Sequence, residues 1–187
     1  FEYYSEDPYL VAKQAGAMVR GIQSQHIAAT VKHFALNNKE TNRKDSNSRV
    51  SERAARQIYL KTFERIVKEA KPWSIMSSYN IVNDYRASEN HDLLEKLLRD
   101  EWGFEGLVMT DWYTSQDTTE MGMVSPSGKY SHSSSVQCIK AGNDLQMPGC
   151  QQNVDDIVEA VNEGKEITKA DLQRCAKHIL SVALKTM

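Results

Sequence analysis

Apolar residues along the chain fall into short continuous runs that alternate with longer segments of helical periodicity. The clearest run, at 106–112, is preceded by Gly103 and Gly106 and ends at Asp111 and Trp112. A continuous run of this kind is typical of a strand buried on both faces of a parallel sheet. It places Asp111 at the carboxyl end of the strand. Similar strands are predicted at 28–36, 72–80 and 141–147.

Capping signals place the helices between and around these strands. Pro8 follows Asp7 at the start of a helix of about four turns. Ser51 and Ser88 are the predicted N-caps of the next two helices, and Thr168 has a capping-box partner three residues on. The later predicted helices cover 51–71, 88–102, 136–141, 154–162 and 172–187. Polar loops are predicted at 37–49, 80–87 and 114–131.

Strands that alternate with helices build a parallel sheet wrapped by helices. The sequence therefore predicts an α/β fold, a partial (β/α) barrel with about four parallel strands. A complete barrel of eight strands needs about 250 residues, whereas this chain has 187. We expect a single partial domain.

The composition of the chain limits the classes of binding partner that we expect. A net charge of -2 with 26% charged residues generates no long-range field, so neither nucleic acid nor a membrane is expected. The apolar runs are far shorter than the ~20 residues that span a bilayer. Cys138, Cys150 and Cys175 have no metal-ligand spacing, which favours free thiols and predicts neither metal nor cofactor. The compartment stays open, with a cytoplasmic location slightly favoured.

The chemistry depends on where the strands end. If the strands are parallel neighbours, Lys32, His33, Tyr79 and Asp111 emerge at one face. An ionised carboxylate there is a competent nucleophile toward an electrophilic carbon, and Trp112 offers a flat apolar wall for a sugar. Asp111 could equally cap a turn, Lys32 and His33 could be a solvated pair, and Tyr79 could be a core aromatic.

Arg43 lies in the first polar loop, where it could be one more solvated charge. Its planar guanidinium would also suit paired oxygens of a polyol. A divalent-metal enzyme that uses His33, Asp111 and Asp144 is an alternative from another class.

Five motifs in consistent order resemble glycoside hydrolase family three, the β-glucosidase-type enzymes. They are SEDPYL near the start, KHFALNNKETNR at 32–43, MSSYNIVND at 76–84, EWGFEGLVMTDW at 101–112 and AGNDLQMPG at 141–149. The resemblance covers residues 1 to about 150, and the final helix fits its continuation. Relatives acting on N-acetylglucosamine differ at 35–43, which favours the glucosidase and xylosidase side.

The resemblance implies a retaining, exo-acting β-glycosidase that hydrolyses terminal non-reducing β-D-glucosyl residues of a β-linked oligosaccharide or glucoside. It assigns the nucleophile to Asp111 and the sugar platform to Trp112. Tyr79 becomes the hydrogen-bond partner of the nucleophile. The remaining substrate-binding residues are Lys32, His33, Arg43 and Met76.

The resemblance also implies that the chain lacks the acid/base carboxylate of the family. No second carboxylate matches the family's acid/base, which usually lies on a separate domain; Glu40 and Asp144 are the nearest acidic candidates. We therefore expect the second half of a catalytic barrel, inactive alone, whose partners are the absent half-barrel and acid/base domain. Open sheet edges make self-association an alternative. A β-xylosidase and a non-catalytic carbohydrate-binding or scaffold fragment are the other candidate functions.

Overall fold

A computed structural model of the protein describes residues 3–116, 125 and 127–187. Its central feature is a parallel sheet that follows the predicted apolar runs. The strands are β1 Thr30–Phe34, β2 Asn47–Ser48, β3 Ser74–Ser77, β4 Ile81–Val82, β5 Tyr85–Arg86 and β6 Leu107–Thr110. The sheet has the order β1-β3-β6, with every pairing parallel.

The fourth predicted strand, at 141–147, is reduced to one parallel bridge between Met109 and Leu145. Thr110 N donates to the Leu145 carbonyl at 2.9 Å, and Asp144 N donates to the Val108 carbonyl at 2.7 Å. The segment thus occupies the position of a fourth strand beside β6 but is too short to continue the ladder. Among the described residues, the main sheet therefore has three strands where about four were predicted.

A second small sheet lies within segments that were predicted to be loops, and that prediction is wrong there. β2 pairs with β4 in parallel, and β4 and β5 form an antiparallel hairpin. Its turn residues, Asn83 and Asp84, have φ angles of 48° and 76°. Two consecutive positive φ angles define the turn that matches the twist of a hairpin, and Asn and Asp tolerate them.

The helices also follow the predicted pattern, with one error in capping. The helices predicted to begin at Pro8 and after Ser51 and Thr168 are present, Ser51 and Thr168 cap two of them as predicted, and Asp7 caps the first. Ser88 is instead buried in a 3₁₀ turn, and the Asn90 side chain accepts from Leu93 N at 3.1 Å. The α-helices are α1 Pro8–Gln23, α2 Glu52–Ala54, α3 Lys61–Ala70, α4 Ser135–Ala141, α5 Gln151–Glu163 and α6 Lys169–Lys185; Ala55–Tyr59 and Asp92–Glu101 are π-helical.

The core lies between the sheet and the helices that cover it. Phe34, at the end of β1, is fully buried and packs edge-on against Phe63 of α3 and Trp102, with ring centroids 5.0 Å and 5.9 Å apart. Leu94 and Leu98 cover the same cluster from the 92–101 helix. This packing holds the carboxyl ends of the strands in fixed relative positions.

Two expectations concern features outside this core. Cys138, Cys150 and Cys175 are free thiols, as predicted.

No helix in the described parts of the chain is long and apolar enough to cross a membrane. Residues 117–124 and 126 of the loop predicted at 114–131 lie outside the described residues.

Candidate active site

The carboxyl ends of the strands bring His33 and Asp111 together. The His33 Nε2 atom lies 3.6 Å from the Asp111 Oδ2 atom, and the two side chains are 13% and 11% exposed. Asp111 N donates to the Ser77 carbonyl at 3.1 Å, which extends the β3–β6 ladder by one residue. The ladder therefore fixes the backbone from which the Asp111 carboxylate projects.

The electrostatics of Asp111 combine burial with positive neighbours. Burial is the largest influence and raises the pKa of the Asp111 carboxyl above its usual range. The charges of His33, Arg43 and Lys32 lower this pKa, as does a hydrogen bond from Trp112 N to Asp111 Oδ1 at 2.7 Å. A buried carboxylate whose ionised form depends on adjacent cations suits a nucleophile that is weakly solvated.

Tyr79 is buried close enough to Asp111 for the carboxylate charge to act on its hydroxyl. It is 1% exposed, and burial followed by the Asp111 charge raises the pKa of its hydroxyl. The Arg43 guanidinium and the Lys44 ammonium lie 5.2 Å and 5.0 Å from the centroid of its ring, within cation–π range. Arg43 also pairs with Glu40 at 2.8 Å.

The other predicted substrate-binding residues lie around this cluster. Trp112 follows Asp111 directly and is 50% exposed, so about half of its surface is accessible from solvent. Met76 is in register with Met109, which shares a face of β6 with Asp111 because side chains alternate along a strand. The Lys32 side chain is exposed, and its charge acts on Asp111. The roles of all these residues stay predictions.

Asp144 does not join the group at Asp111. Its fully buried side chain accepts from Arg99 Nη2 at 2.7 Å and from Val108 N at 2.9 Å, and it contacts His178 Nδ1 at 2.9 Å. Both carboxylate oxygens are thus engaged by structural partners, which argues against Asp144 as an acid/base or as a metal ligand beside His33. Within the described residues, no group of three or more His, Cys, Asp or Glu side chains could hold a metal ion.

Two residues with contacts to the site had no sequence signal of their own. Lys44 is buried and contacts the Tyr79 ring, and Arg86 is buried and donates to the Tyr79 carbonyl at 2.8 Å. Both stand in segments that were predicted to be polar loops, where a cation is usually solvated. The sequence feature that could have indicated Lys44 was its position directly after Arg43, a predicted substrate-binding residue.

Comparisons with known proteins identify the family and the fold of this chain. The family model "Glycosyl hydrolase family 3 N terminal domain" matches residues 1–182. A solved structure of beta-glucosidase 3B from Thermotoga neapolitana in complex with glucose superposes with a TM-score of 0.86 at 44% identity, covering 98% of this chain and 24% of that chain. The fold is therefore part of an α/β barrel, as predicted. The chain belongs to glycosyl hydrolase family 3.

Two curated relatives give the range of named activities. Beta-glucosidase A from Butyrivibrio fibrisolvens is 53% identical over 174 residues, which is 93% of this chain and 19% of that protein. An exo-alpha-(1->6)-L-arabinopyranosidase from Bifidobacterium breve is 43% identical over 186 residues, 100% of this chain and 22% of that protein. The chain thus spans about a fifth of the length of these relatives.

Proposed function

We propose that this chain supplies the nucleophile and part of the non-reducing sugar subsite of a retaining, exo-acting β-glycosidase of the β-glucosidase type. The observation that carries the proposal is the buried Asp111 carboxylate 3.6 Å from His33 at the carboxyl ends of the strands. Membership of glycosyl hydrolase family 3 supports it, because relatives named beta-glucosidase share this sequence region.

In the proposed reaction, an Asp111 oxygen attacks the anomeric carbon and forms a glycosyl ester. The bond to the leaving oxygen breaks, and that oxygen takes the electron pair and a proton from a general acid. Water then hydrolyses the ester with retention of configuration. His33, Lys32 and Arg43 hold the sugar hydroxyls and keep Asp111 ionised, and Trp112 packs against the sugar ring.

The general acid is proposed to come from outside this chain. A retaining pair of carboxyl groups stands about 5–5.5 Å apart. The Asp144 carboxylate is paired with Arg99 and His178, and the Glu40 carboxylate is paired with Arg43, so neither is placed to protonate a leaving group. The length of the relatives supports a longer polypeptide that contributes the acid/base domain.

The same polypeptide is proposed to complete the barrel. A groove of about 800 Å³ runs beside β1 between α1 and α3. Its lining is largely apolar and includes Val11, Val19 and Phe63, with Met18 and Ile58 largely exposed. Its described lining residues include no carboxylate pair suited to glycoside chemistry. We interpret the groove as the surface on which the first half-barrel packs; self-association through this side is the alternative.

The substrate is proposed to be a β-D-glucoside. A pentopyranoside is the second candidate, because the exo-alpha-(1->6)-L-arabinopyranosidase matches the whole chain at 43% identity. A β-xyloside and an α-L-arabinopyranoside both lack the hydroxymethyl group of glucose. Comparing kcat/KM for aryl β-glucoside, β-xyloside and α-L-arabinopyranoside in the polypeptide that carries this chain tests the assignment; preference for either pentoside would contradict it.

The nucleophile is tested in the same polypeptide by Asp111→Ala. Removing one of the two reacting carboxyl groups should reduce hydrolysis of an aryl β-glucoside by at least about 10³-fold. Added azide should restore turnover and release the α-glycosyl azide, since azide enters from the face that Asp111 occupied. The matched control is Asp84→Ala, on the exposed hairpin turn, which should leave activity unchanged.

Three outcomes would contradict parts of this proposal. Activity that survives Asp111→Ala would move the nucleophile elsewhere. A non-catalytic carbohydrate-binding or scaffold fragment would bind a glucono-lactam without hydrolysis, and a 2-fluoro-glycoside would leave no covalent adduct on Asp111. Robust turnover by residues 1–187 alone would contradict the expectation that the chain is inactive by itself.

A further inference from the structure

Lys44 is a buried cation that contacts two segments of the site. It is 2% exposed, and its Nζ atom donates to the Tyr113 carbonyl at 2.9 Å. The same Nζ atom lies 5.0 Å from the centroid of the Tyr79 ring. A buried ammonium keeps its charge only where carbonyls and ring faces replace water. The position of Lys44 is therefore coupled to the position of Tyr113.

The turn that Lys44 contacts also carries Trp112. Tyr113 has a φ angle of +58°, a conformation that side chains rarely adopt without support. Tyr113 N donates to the Met147 carbonyl at 2.9 Å, and the Thr114 hydroxyl donates to the Asp111 carbonyl at 2.9 Å. With Lys44 on the Tyr113 carbonyl, both backbone polar groups of Tyr113 are bound by distant segments. These contacts fix the residue that follows Trp112.

Lys44 is itself held in place by Arg86. Arg86 Nη1 donates to the Lys44 carbonyl at 3.2 Å and to the Tyr79 carbonyl at 2.8 Å. Lys44 is thus connected at its backbone to the Tyr79 segment and at its ammonium to the Tyr113 turn. His33, Arg43 and Lys32 lower the pKa of Asp111 through their charges. Lys44 contacts the Tyr113 carbonyl at its ammonium and the Arg86 guanidinium at its own carbonyl, and these contacts give it a role in geometry.

We propose that Lys44 is a positioning residue that holds the Tyr113 turn so that the Trp112 ring faces the sugar. This inference rests on the proposed function and extends it to a residue outside the predicted sugar contacts. Lys44 acts through the Tyr113 carbonyl and does not touch substrate. Substitution of Lys44 should therefore displace the Trp112 ring before it affects other residues of the site.

The contact is tested by hydrogen exchange and mass spectrometry on the polypeptide that carries this chain. Lys44→Met and Lys44→Gln should raise exchange in the peptide 107–116 and leave peptides from β3 and α3 unchanged. Lys44→Arg, which keeps a donor, should exchange as the unsubstituted protein does. The matched control is Lys39→Met, because Lys39 is exposed in the same loop. Unchanged exchange at 107–116, or a rise spread across the chain in both variants, would overturn the proposal.

The function of the contact is tested by a double-mutant cycle with aryl β-glucoside. Lys44→Met should lower kcat/KM by about tenfold or more, since small displacements at a site cost that much. In a Trp112→Ala background the same substitution should lower it by less than about twofold, because the ring that Lys44 positions is gone. Equal losses in the two backgrounds would refute the positioning role.

The experiments distinguish a failure of the proposed function from a failure of the proposal for Lys44. If the unsubstituted polypeptide hydrolyses none of the aryl glycosides, the proposed function is contradicted. The exchange measurement then still decides whether Lys44 holds the 107–116 segment, because it requires no turnover. Localised exchange supports the contact, and unchanged exchange rejects it.

Discussion

Replacing Asp144 by asparagine should lower the free energy of unfolding by about 3 kcal/mol. The Asp144 side chain is fully buried, and the Arg99 side chain that it binds is only 9% exposed. Breaking a buried ion pair by removing one partner costs about 3–5 kcal/mol, since it leaves the other charge uncompensated in a medium of low polarity. Asparagine keeps the shape of the side chain and one acceptor oxygen but removes the charge.

The surroundings of Arg99 act in both directions, and the oxygen that asparagine keeps, together with Glu95, places the effect at the low end of that range. Arg99 Nη1 donates to the Gly106 carbonyl at 3.0 Å, and its guanidinium lies 5.4 Å from the Phe104 ring centroid, so it cannot easily turn toward solvent. Glu95 lies 3.7 Å from Arg99 Nε and partly offsets the lost charge. The contact from Asp144 to His178 is also weakened.

Urea unfolding followed by circular dichroism measures the change. The matched control is Asp84→Asn, which loses an exposed pair with Arg49 and should change the free energy of unfolding by less than about 1 kcal/mol. If Asp144→Asn destabilises the protein by no more than the control does, the interpretation of Asp144 as a structural anchor is wrong.

Three further predictions concern the site. Because burial raises the pKa of Asp111, the acid limb of kcat/KM for an aryl β-glucoside should lie at higher pH than an ordinary aspartate would give. His33→Gln should move this limb to still higher pH, since the His33 charge lowers the pKa of Asp111; an unmoved limb would contradict the coupling. Because the pKa of Asp111 is raised in the folded state, ionising this carboxyl destabilises the fold as the pH rises through that pKa. Asp111→Asn should therefore raise the Tm at neutral pH while abolishing hydrolysis. A Tm that falls would contradict this electrostatic interpretation. Trp112→Ala should raise KM by about tenfold as a half-exposed platform is lost, whereas Trp112→Phe should change it less; equal KM values for the two variants would argue against stacking.

The sequence by itself predicted most of the fold and the proximity of the two central residues of the candidate site. Apolar runs predicted β1, β3 and β6, and the parallel order implied by strand and helix alternation predicted that His33 and Asp111 would meet. Caps at Ser51 and Thr168 were predictable because their hydrogen bonds reach only three residues along the chain. Such features depend on neighbours in sequence, which a local pattern records.

The tertiary structure decided the roles of the charged residues. Asp144 and Asp111 both lie in segments predicted as strands, yet both oxygens of Asp144 are bound by partners that include Arg99 from the 92–101 helix and His178 from α6. Lys44 stands in a polar loop and is nevertheless buried against Tyr113, 69 residues away. Whether a charge anchors the fold, positions another group or faces a ligand depends on burial and on partners that are distant in sequence. Local sequence patterns contain neither, so only the folded chain separates an anchor from a candidate nucleophile.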